Sequence, residues 1–137
     1  MLKIPDPNAT LPTAATVLVV DDAASSRHLV AATLERLGFN TLKADDGRSA
    51  LSVIRDFHPD AIVTDLEMPG MDGETMIEDL RNSEIEYCRE IPIIVCSSKL
   101  DVETLVELNQ LHVHAVVPKP VDVRALSFAA LRYFSPV

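Results

Sequence analysis

Short apolar runs alternate along the chain with segments whose apolar residues recur every three or four positions. Apolar runs of this length are typical of buried β-strands, and the second spacing is typical of amphipathic helices. A helical pattern follows each apolar run, so the sequence predicts five strands and five helices. The strands are predicted at 16–20, 39–44, 60–65, 91–98 and 113–120.

Five strands that alternate with five helices are the pattern of an α/β fold, a (βα)5 doubly wound parallel sheet. The strands are almost continuously apolar, which fits a sheet that helices cover on both faces. In such sheets, ligands bind outside the carboxyl ends of the strands, where the strand order reverses. Candidate functional residues are therefore expected directly after the strands.

Capping and core residues of the helices follow from the same pattern. Ser25 or Ser26 is expected to cap the first helix, and Gly38 stands where a left-handed residue would end it. The last two helices are expected to place five apolar residues in the core: Val102, Leu105, Val106, Val123 and Leu126. Any part of this set that is left exposed would mark an output interface.

Composition narrows the class of protein. The 137 residues, 47% of them hydrophobic, suffice for one domain with a single core. A net charge of −9 argues against a broad surface for nucleic acid or an anionic membrane. The sequence has no signal peptide and no membrane span, and Cys88 and Cys96 do not form a CxxC motif. We therefore expect a cytoplasmic protein with no direct contact to nucleic acid or membrane.

The domain organisation is expected to be simple. Residues 1–14 contain Pro5, Pro7 and Pro12 and are predicted to form a flexible leader. Residues 15–135 form the single predicted domain. No output domain is expected, because the chain ends about one helix after the fifth strand.

Polar residues close four of the five predicted strands. Asp21 and Asp22 follow the first strand, Asp65 the third, Ser97-Ser98 the fourth and Lys119 the fifth. Because parallel strands end at one edge of a sheet, these side chains should gather there. Two carboxylates about 4 Å apart repel by about 4 kcal/mol at an effective dielectric near 20, so the pair needs a nearby cation.

The chemistry of these residues suits phosphoryl transfer. Three carboxylates and one ammonium leave excess negative charge, which a Mg²⁺ ion would balance. Asp65 is the best placed nucleophile, because it ends the expected central strand and opens a Pro/Gly turn, and a carboxylate can form an aspartyl phosphate. Asp21 and Asp22 would then hold the metal, and the phosphoryl oxygens would be met by Lys119 and Ser97.

Each of these residues also has an ordinary structural explanation. A strand-end aspartate often caps a helix or forms a turn. Ser97-Ser98 could cap the next helix, and Lys119 could simply be solvated. Complementary chemistry at four strand ends of five favours a site over four separate coincidences.

With these residues assembled, the chain resembles the response regulator receiver family, the phosphoacceptor domains of two-component signalling. The resemblance covers roughly residues 15–134. It implies a flavodoxin-like fold with strand order 2-1-3-4-5. The motifs that carry the resemblance are, in this order, "VLVVDD", "DLEMPGMDG", "IPIIVCSS" and "PKP".

The resemblance also implies roles for single residues. Asp65 would be phosphorylated, Ser97 would be the switch hydroxyl, and Lys119 would bind the phosphoryl group. A cis peptide is expected before Pro120. The magnesium ligands would be Asp21, Asp22, Asp65 and, through its backbone carbonyl, Glu67.

Partners follow from the same resemblance. The phosphoryl donor would be the phosphohistidine of a histidine kinase or a histidine phosphotransfer protein. The signal would then pass by protein contact to a downstream target that the sequence does not identify. The domain would not be an enzyme in the usual sense, although it would assist its own phosphorylation and dephosphorylation.

The chain departs from the family pattern at two positions near the last strand. Val116 stands three residues before Lys119, where the family usually has an aromatic switch residue. Pro118, directly before that lysine, removes a backbone donor. Glu67 and Lys99 occupy positions that lie over the phosphoryl group in this family and tune its hydrolysis.

Two other functions are compatible with the sequence. A phosphatase of the haloacid dehalogenase type also uses a strand-end aspartate, magnesium and a lysine. It needs a second acid two residues after the nucleophile, which Asp65-Leu66-Glu67 matches only loosely. A pseudo-receiver that acts only as a binding module is the other alternative. The intact set of acids, hydroxyl and lysine argues against it, and the missing aromatic at Val116 keeps it open.

Overall fold

The structure is a computed structural model, and it describes residues 14–135. The predicted 1–14 leader lies outside the described residues except for its last residue, and it stays a prediction. No helix of the described part is long and apolar enough to cross a bilayer.

One parallel sheet of five strands, in the order β2-β1-β3-β4-β5, forms the centre of the fold. This confirms the predicted fold class and strand order. The central strands β1, β3 and β4 are almost entirely buried, as their continuous apolar runs predicted. The strands are β1 (Thr16–Val20), β2 (Asn40–Ala44), β3 (Ala61–Thr64), β4 (Ile93–Ser97) and β5 (Ala115–Pro118).

Six helices accompany the sheet within the described residues, one more than the sequence predicted. The additional helix, α4, has five residues, none of them buried. It therefore has no apolar periodicity from which it could have been predicted. The helices are α1 (Ala24–Arg36), α2 (Gly47–Phe57), α3 (Gly73–Arg81), α4 (Glu86–Glu90), α5 (Val102–Gln110) and α6 (Val123–Tyr133).

The sheet separates two apolar layers. Side chains alternate along each strand, so Val17 and Val19 of β1 face one layer while Leu18 and Val20 face the other. Helices α1 and α6 complete the first layer, and α2, α3 and Leu108 of α5 complete the second. Because helices cover both faces of the sheet, the side chains that follow the strands meet at its carboxyl edge.

The first helix begins two or three residues earlier than predicted. Its N-cap is Ala23, which makes no side-chain cap bond, so the prediction of a Ser25 or Ser26 cap is wrong. The chain turns into the helix directly after Asp21, whose Oδ1 accepts the backbone N–H of Ala23 at 2.9 Å. At the other end, Gly38 has a φ of +99°, as the left-handed cap required.

The predicted burial of the last two long helices is largely wrong. Leu126 is fully buried, but the other four residues are exposed, and Val102 keeps 77% of its surface. Helix α5 buries Thr104 and Leu108 instead, so its apolar stripe points away from the sheet. The exposed set consists of Val102, Leu105, Val106 and Val123. The output interface that such exposure would mark stays a prediction.

Pro118 lies in the edge strand β5 without breaking a hydrogen bond to the neighbouring strand β4. The backbone N–H of Lys119 donates to the carbonyl of Ser97 on β4 at 3.0 Å. Because successive N–H groups point to opposite sides of a strand, the nitrogen of Pro118 faces the open edge of the sheet. The missing donor therefore costs no ladder hydrogen bond. The peptide bond between Lys119 and Pro120 is cis, as predicted.

Candidate functional site

The ends of β1 and β3 bring three carboxylates together at the centre of the carboxyl edge. Val20 pairs with Thr64, so the next residues, Asp21 and Asp65, stand side by side. Oxygen atoms of Asp21, Asp22 and Asp65 all lie within 4.8 Å of one another. Asp21 and Asp65 are buried, whereas Asp22 is exposed. The structure therefore brings the three predicted carboxylates together.

Lys119 bridges the two buried carboxylates. Its Nζ lies 2.7 Å from Oδ2 of Asp21 and 2.8 Å from Oδ2 of Asp65. Burial alone would lower the pKa of Lys119, but the hydrogen bonds to Asp21 and Asp65 outweigh burial and raise that pKa above its usual value. Lys119 therefore remains a cation at the carboxyl edge, joined to residues of two other strands.

The carboxylate of Asp65 is held on both oxygens. Oδ1 accepts the backbone N–H of Leu66 at 2.6 Å and that of Glu67 at 3.4 Å, while Oδ2 accepts Lys119. The loop after β3 approaches α3 so closely that a Cβ on Gly73 would lie 2.1 Å from the backbone oxygen of Asp65. Only glycine allows this approach, which helps to fix the backbone that carries the carboxylate.

Ser97 ends β4 at the same edge and is fully buried. Its Oγ accepts the backbone N–H of Lys99 at 3.1 Å. Within residues 14–135, no hydrogen bond joins its side chain to Asp65 or Lys119. The structure thus brings Ser97 to the correct edge without linking its hydroxyl to the acidic cluster.

An open cavity of about 520 Å³ lies beside the acidic cluster. Asp22 lines the cavity, as do the exposed residues Glu67 and Lys99. The cavity therefore gives a ligand group access to the region of the three carboxylates.

Two features near the cluster were missed at the level of sequence. Arg27 of α1 donates from its guanidinium to the backbone oxygen of Asp21 at 2.8 Å and so anchors the turn after β1. Arg27 follows the acidic pair by little more than one helical turn, and this spacing could have predicted its contact with the end of β1. Glu74 lies 3.9 Å from Nζ of Lys99 across the cavity, and no local pattern relates these two residues.

The donor set fits a hard divalent cation. Three carboxylates and one ammonium carry a formal charge of about −2, and carboxylate oxygens are the ligands that Mg²⁺ and Ca²⁺ prefer. The exposed position of Asp22 keeps one side of the cluster open to solvent, which suits an ion that retains part of its water shell.

Comparisons with known proteins agree on one family. The family model described as the response regulator receiver domain matches residues 17–130. The chemotaxis protein CheY of Pseudomonas aeruginosa is 31% identical over 122 residues, which cover 88% of this chain and 97% of that protein. The regulatory protein AtoC of Escherichia coli is 33% identical over 116 residues, which cover 85% of this chain but only 24% of that protein.

Solved structures show the same likeness in three dimensions. A response regulator receiver protein from Pseudomonas putida superimposes with a TM-score of 0.81 at 30% sequence identity, covering 89% of this chain and 99% of that one. The response regulator CheY4 of Vibrio cholerae gives a TM-score of 0.79 at 29% identity, with 88% and 98% covered.

Proposed function

This chain belongs to the response regulator receiver domain family, and on that basis we propose that Asp65 accepts a phosphoryl group from a phosphohistidine. The observation that carries the proposal is the bridge from Lys119 to both Asp21 and Asp65, at distances of 2.7 and 2.8 Å. It supplies a cation beside a fixed carboxylate nucleophile at the edge of the sheet where doubly wound folds bind ligands.

The reaction uses one carboxylate oxygen of Asp65. This oxygen forms a bond to phosphorus while the bond from phosphorus to the histidine nitrogen breaks, and the nitrogen keeps the electron pair. Lys119 provides positive charge beside the attacking carboxylate, and its ammonium can also meet the oxygens of the transferred group. Ser97, buried at the end of the next strand, provides a hydroxyl donor for the same group.

The same edge of the sheet supplies the proposed magnesium ligands. The carboxylates of Asp21, Asp22 and Asp65 and the backbone carbonyl of Glu67 would hold the ion, because the three carboxylates cluster within 4.8 Å and carry more negative charge than Lys119 balances. Bound Mg²⁺ would offset the negative charge of the transferring phosphoryl group.

Receiver domains are signalling domains that work with histidine kinases and downstream effectors. We propose that this chain is a stoichiometric phosphoacceptor, with a histidine kinase or histidine phosphotransfer protein as its donor. Its matched region covers most of CheY and about a quarter of AtoC. Signalling by protein contact to a downstream target is part of the proposal, as is a cytoplasmic location.

The proposal is tested by the intact mass of the protein after incubation with acetyl phosphate. One added phosphoryl group in the presence of Mg²⁺, and none with a chelator, is the expected result. Absence of any addition would favour the pseudo-receiver, which binds without being phosphorylated. Repeated turnover of a generic phosphomonoester would favour the phosphatase of the haloacid dehalogenase type.

Asp22→Ala is expected to remove Mg²⁺-dependent phosphorylation while leaving the fold intact. Asp22 is the exposed member of the acidic cluster, so its loss removes a metal ligand and relieves like-charge repulsion. The free energy of unfolding in urea without Mg²⁺ should stay equal or rise by up to about 1 kcal/mol. Asp45→Ala, at the exposed end of β2, is the matched control and should be phosphorylated normally. An unfolded Asp22→Ala protein would contradict this account.

Exchanges of Glu67 and Lys99 are expected to change the lifetime of the phosphoryl group more than its formation. Both side chains line the cavity from exposed positions, outside the bridge between Lys119 and the two aspartates. Mass spectrometry at intervals after removal of acetyl phosphate measures the lifetime. Equal lifetimes in Glu67→Asn, Lys99→Ala and the unmodified protein would contradict the prediction.

A further inference from the structure

A second cluster of charged side chains lies beside the cavity. It consists of Glu74 in the first turn of α3, Lys99 in the loop after β4, and Glu107 on α5. Oε1 of Glu74 lies 3.9 Å from Nζ of Lys99, and the carboxyl of Glu107 is a neighbour of that of Glu74. Three separate elements therefore meet through one ammonium and two carboxyls.

Glu74 is the most enclosed member of this cluster. Its side chain is 22% exposed, against 51% for Lys99. Burial raises the pKa of the Glu74 carboxyl, and the neighbouring carboxyl of Glu107 raises it further. Two neighbouring carboxyls attract a cation, and Lys99 is the one positively charged residue among the described residues that line the cavity. Lys99 is therefore drawn towards α3 and α5.

A phosphoryl group on Asp65 would compete for the same ammonium. It carries between one and two negative charges near neutral pH, and its oxygens are strong hydrogen-bond acceptors. The flexible four-carbon stem of Lys99 lets its ammonium move between partners across the cavity. The share of time that Lys99 spends near the phosphoryl group then depends on how strongly Glu74 attracts it.

We propose that Glu74, supported by Glu107, is a positioning residue that holds Lys99 off the phosphoryl group of Asp65 and thereby sets how fast that group is hydrolysed. The inference rests on the proposed function. In the hydrolysis, a water oxygen forms a bond to phosphorus and the bond from phosphorus to the Asp65 oxygen breaks. The carboxylate keeps the electron pair, and the water proton passes to solvent.

The position of Lys99 should determine how easily water reaches the phosphoryl group. The attacking water must approach phosphorus from the side opposite the Asp65 oxygen, and the cavity provides the space on the solvent side of the acidic cluster. An ammonium that is released from Glu74 and pairs with the phosphoryl oxygens occupies that space. Removing the negative charge of Glu74 should therefore slow hydrolysis, and the effect should require Lys99.

A double-mutant cycle tests this dependence. Glu74→Gln, Lys99→Ala and the double variant are phosphorylated with acetyl phosphate and Mg²⁺, and the half-life of the phosphoryl group is measured by intact mass. Glu74→Gln should lengthen the half-life about two- to fivefold, as expected when one partly exposed ion pair is released to another partner. In the Lys99→Ala background, the same exchange should leave the half-life unchanged. Glu78→Gln, an exposed glutamate of the same helix, is the control.

The outcomes separate this inference from the function on which it rests. If the unmodified protein gains no phosphoryl group, the proposed function fails and the inference fails with it. If the protein is phosphorylated but Glu74→Gln has no effect, shortens the half-life, or acts equally with and without Lys99, only the inference is overturned. Glu74→Ala serves as a second variant with the same expected result, and urea unfolding of each variant confirms that the comparison is between folded proteins.

Discussion

Asp65→Asn is expected to abolish phosphorylation by acetyl phosphate, with no phosphoryl group detectable in the intact mass. A neutral amide is a poor nucleophile. Asp65 is also the only carboxylate of the cluster that follows the central strand and accepts two backbone N–H groups on one oxygen. The exchange keeps the shape of the side chain. The amide oxygen replaces only one of the two carboxylate oxygens, so either the backbone donors or Lys119 lose an acceptor at this residue. Lys119 keeps its bond to Asp21, and we therefore expect the fold to be preserved.

The matched control for this exchange is Asp79→Asn, an exposed aspartate of α3 outside the acidic cluster. It should be phosphorylated to the same extent as the unmodified protein. A phosphoryl group that still adds to Asp65→Asn, on Asp21 or elsewhere, would show that Asp65 is not the acceptor. Far-UV circular dichroism and urea unfolding distinguish a lost nucleophile from a lost fold.

The meeting of Asp21, Asp65 and Lys119 could be predicted because strand topology alone determines it. Lys119 and Asp21 are 98 positions apart in sequence. Parallel strands nevertheless deliver their final residues to one edge, so the polar residue that follows each apolar run was enough to place them. Strands buried on both faces are also continuously apolar, which made β1, β3 and β4 visible in the sequence.

The orientation of α5 could not be predicted, for a reason visible at its first turn. Asp101 accepts the backbone N–H of Thr104 at 3.4 Å and its hydroxyl at 2.6 Å. These bonds accompany an inward-facing Thr104, in line with Leu108 one turn later. Apolar periodicity favoured the opposite stripe, with Val102 and Val106, because hydrophobicity alone gives no weight to a capping bond.

The cluster of Glu74, Lys99 and Glu107 was missed for a different reason. Its members come from a helix, a loop and another helix, none of which has a sequence pattern that points to the others. Side chains at strand ends are located by the sheet, whereas side chains on helices are located by how the helices rotate and pack. Sequence therefore located the acidic cluster at the carboxyl edge of the sheet, whereas the side chains around the cluster were found only in the structure.

Lys119→Met is expected to destabilise the protein strongly. The exchange keeps most of the side-chain volume but leaves Asp21 and Asp65, which are 3% and 9% exposed, without their shared cation. Removing one partner of a buried ion pair costs about 3–5 kcal/mol. Because Lys119 itself keeps 17% exposure, we expect a loss of about 3 kcal/mol in the free energy of unfolding, measured in urea without Mg²⁺ at pH 7.

Three further measurements identify carboxylate repulsion as the cause of that loss. Two adjacent carboxylates without a cation repel each other while both are ionised, so the penalty is full at neutral pH and falls when acid protonates one of them. The deficit of Lys119→Met should therefore shrink as the pH falls from 7 towards 4. Adding Asp65→Asn to Lys119→Met should restore part of the lost stability, although it changes a second buried residue.

Mg²⁺ should also stabilise Lys119→Met more than it stabilises the unmodified protein, because the ion replaces the missing positive charge among the carboxylates. Lys43→Met, which removes an exposed lysine from the edge strand β2, is the control and should stay within about 0.5 kcal/mol of the unmodified protein. Equal losses at pH 7 and pH 4, without a response to Mg²⁺ or to Asp65→Asn, would mean that Lys119 stabilises the fold by packing. The acidic cluster would then be no more than a set of strand-end residues, and both the metal and the phosphoryl group would lose their proposed place beside Asp65.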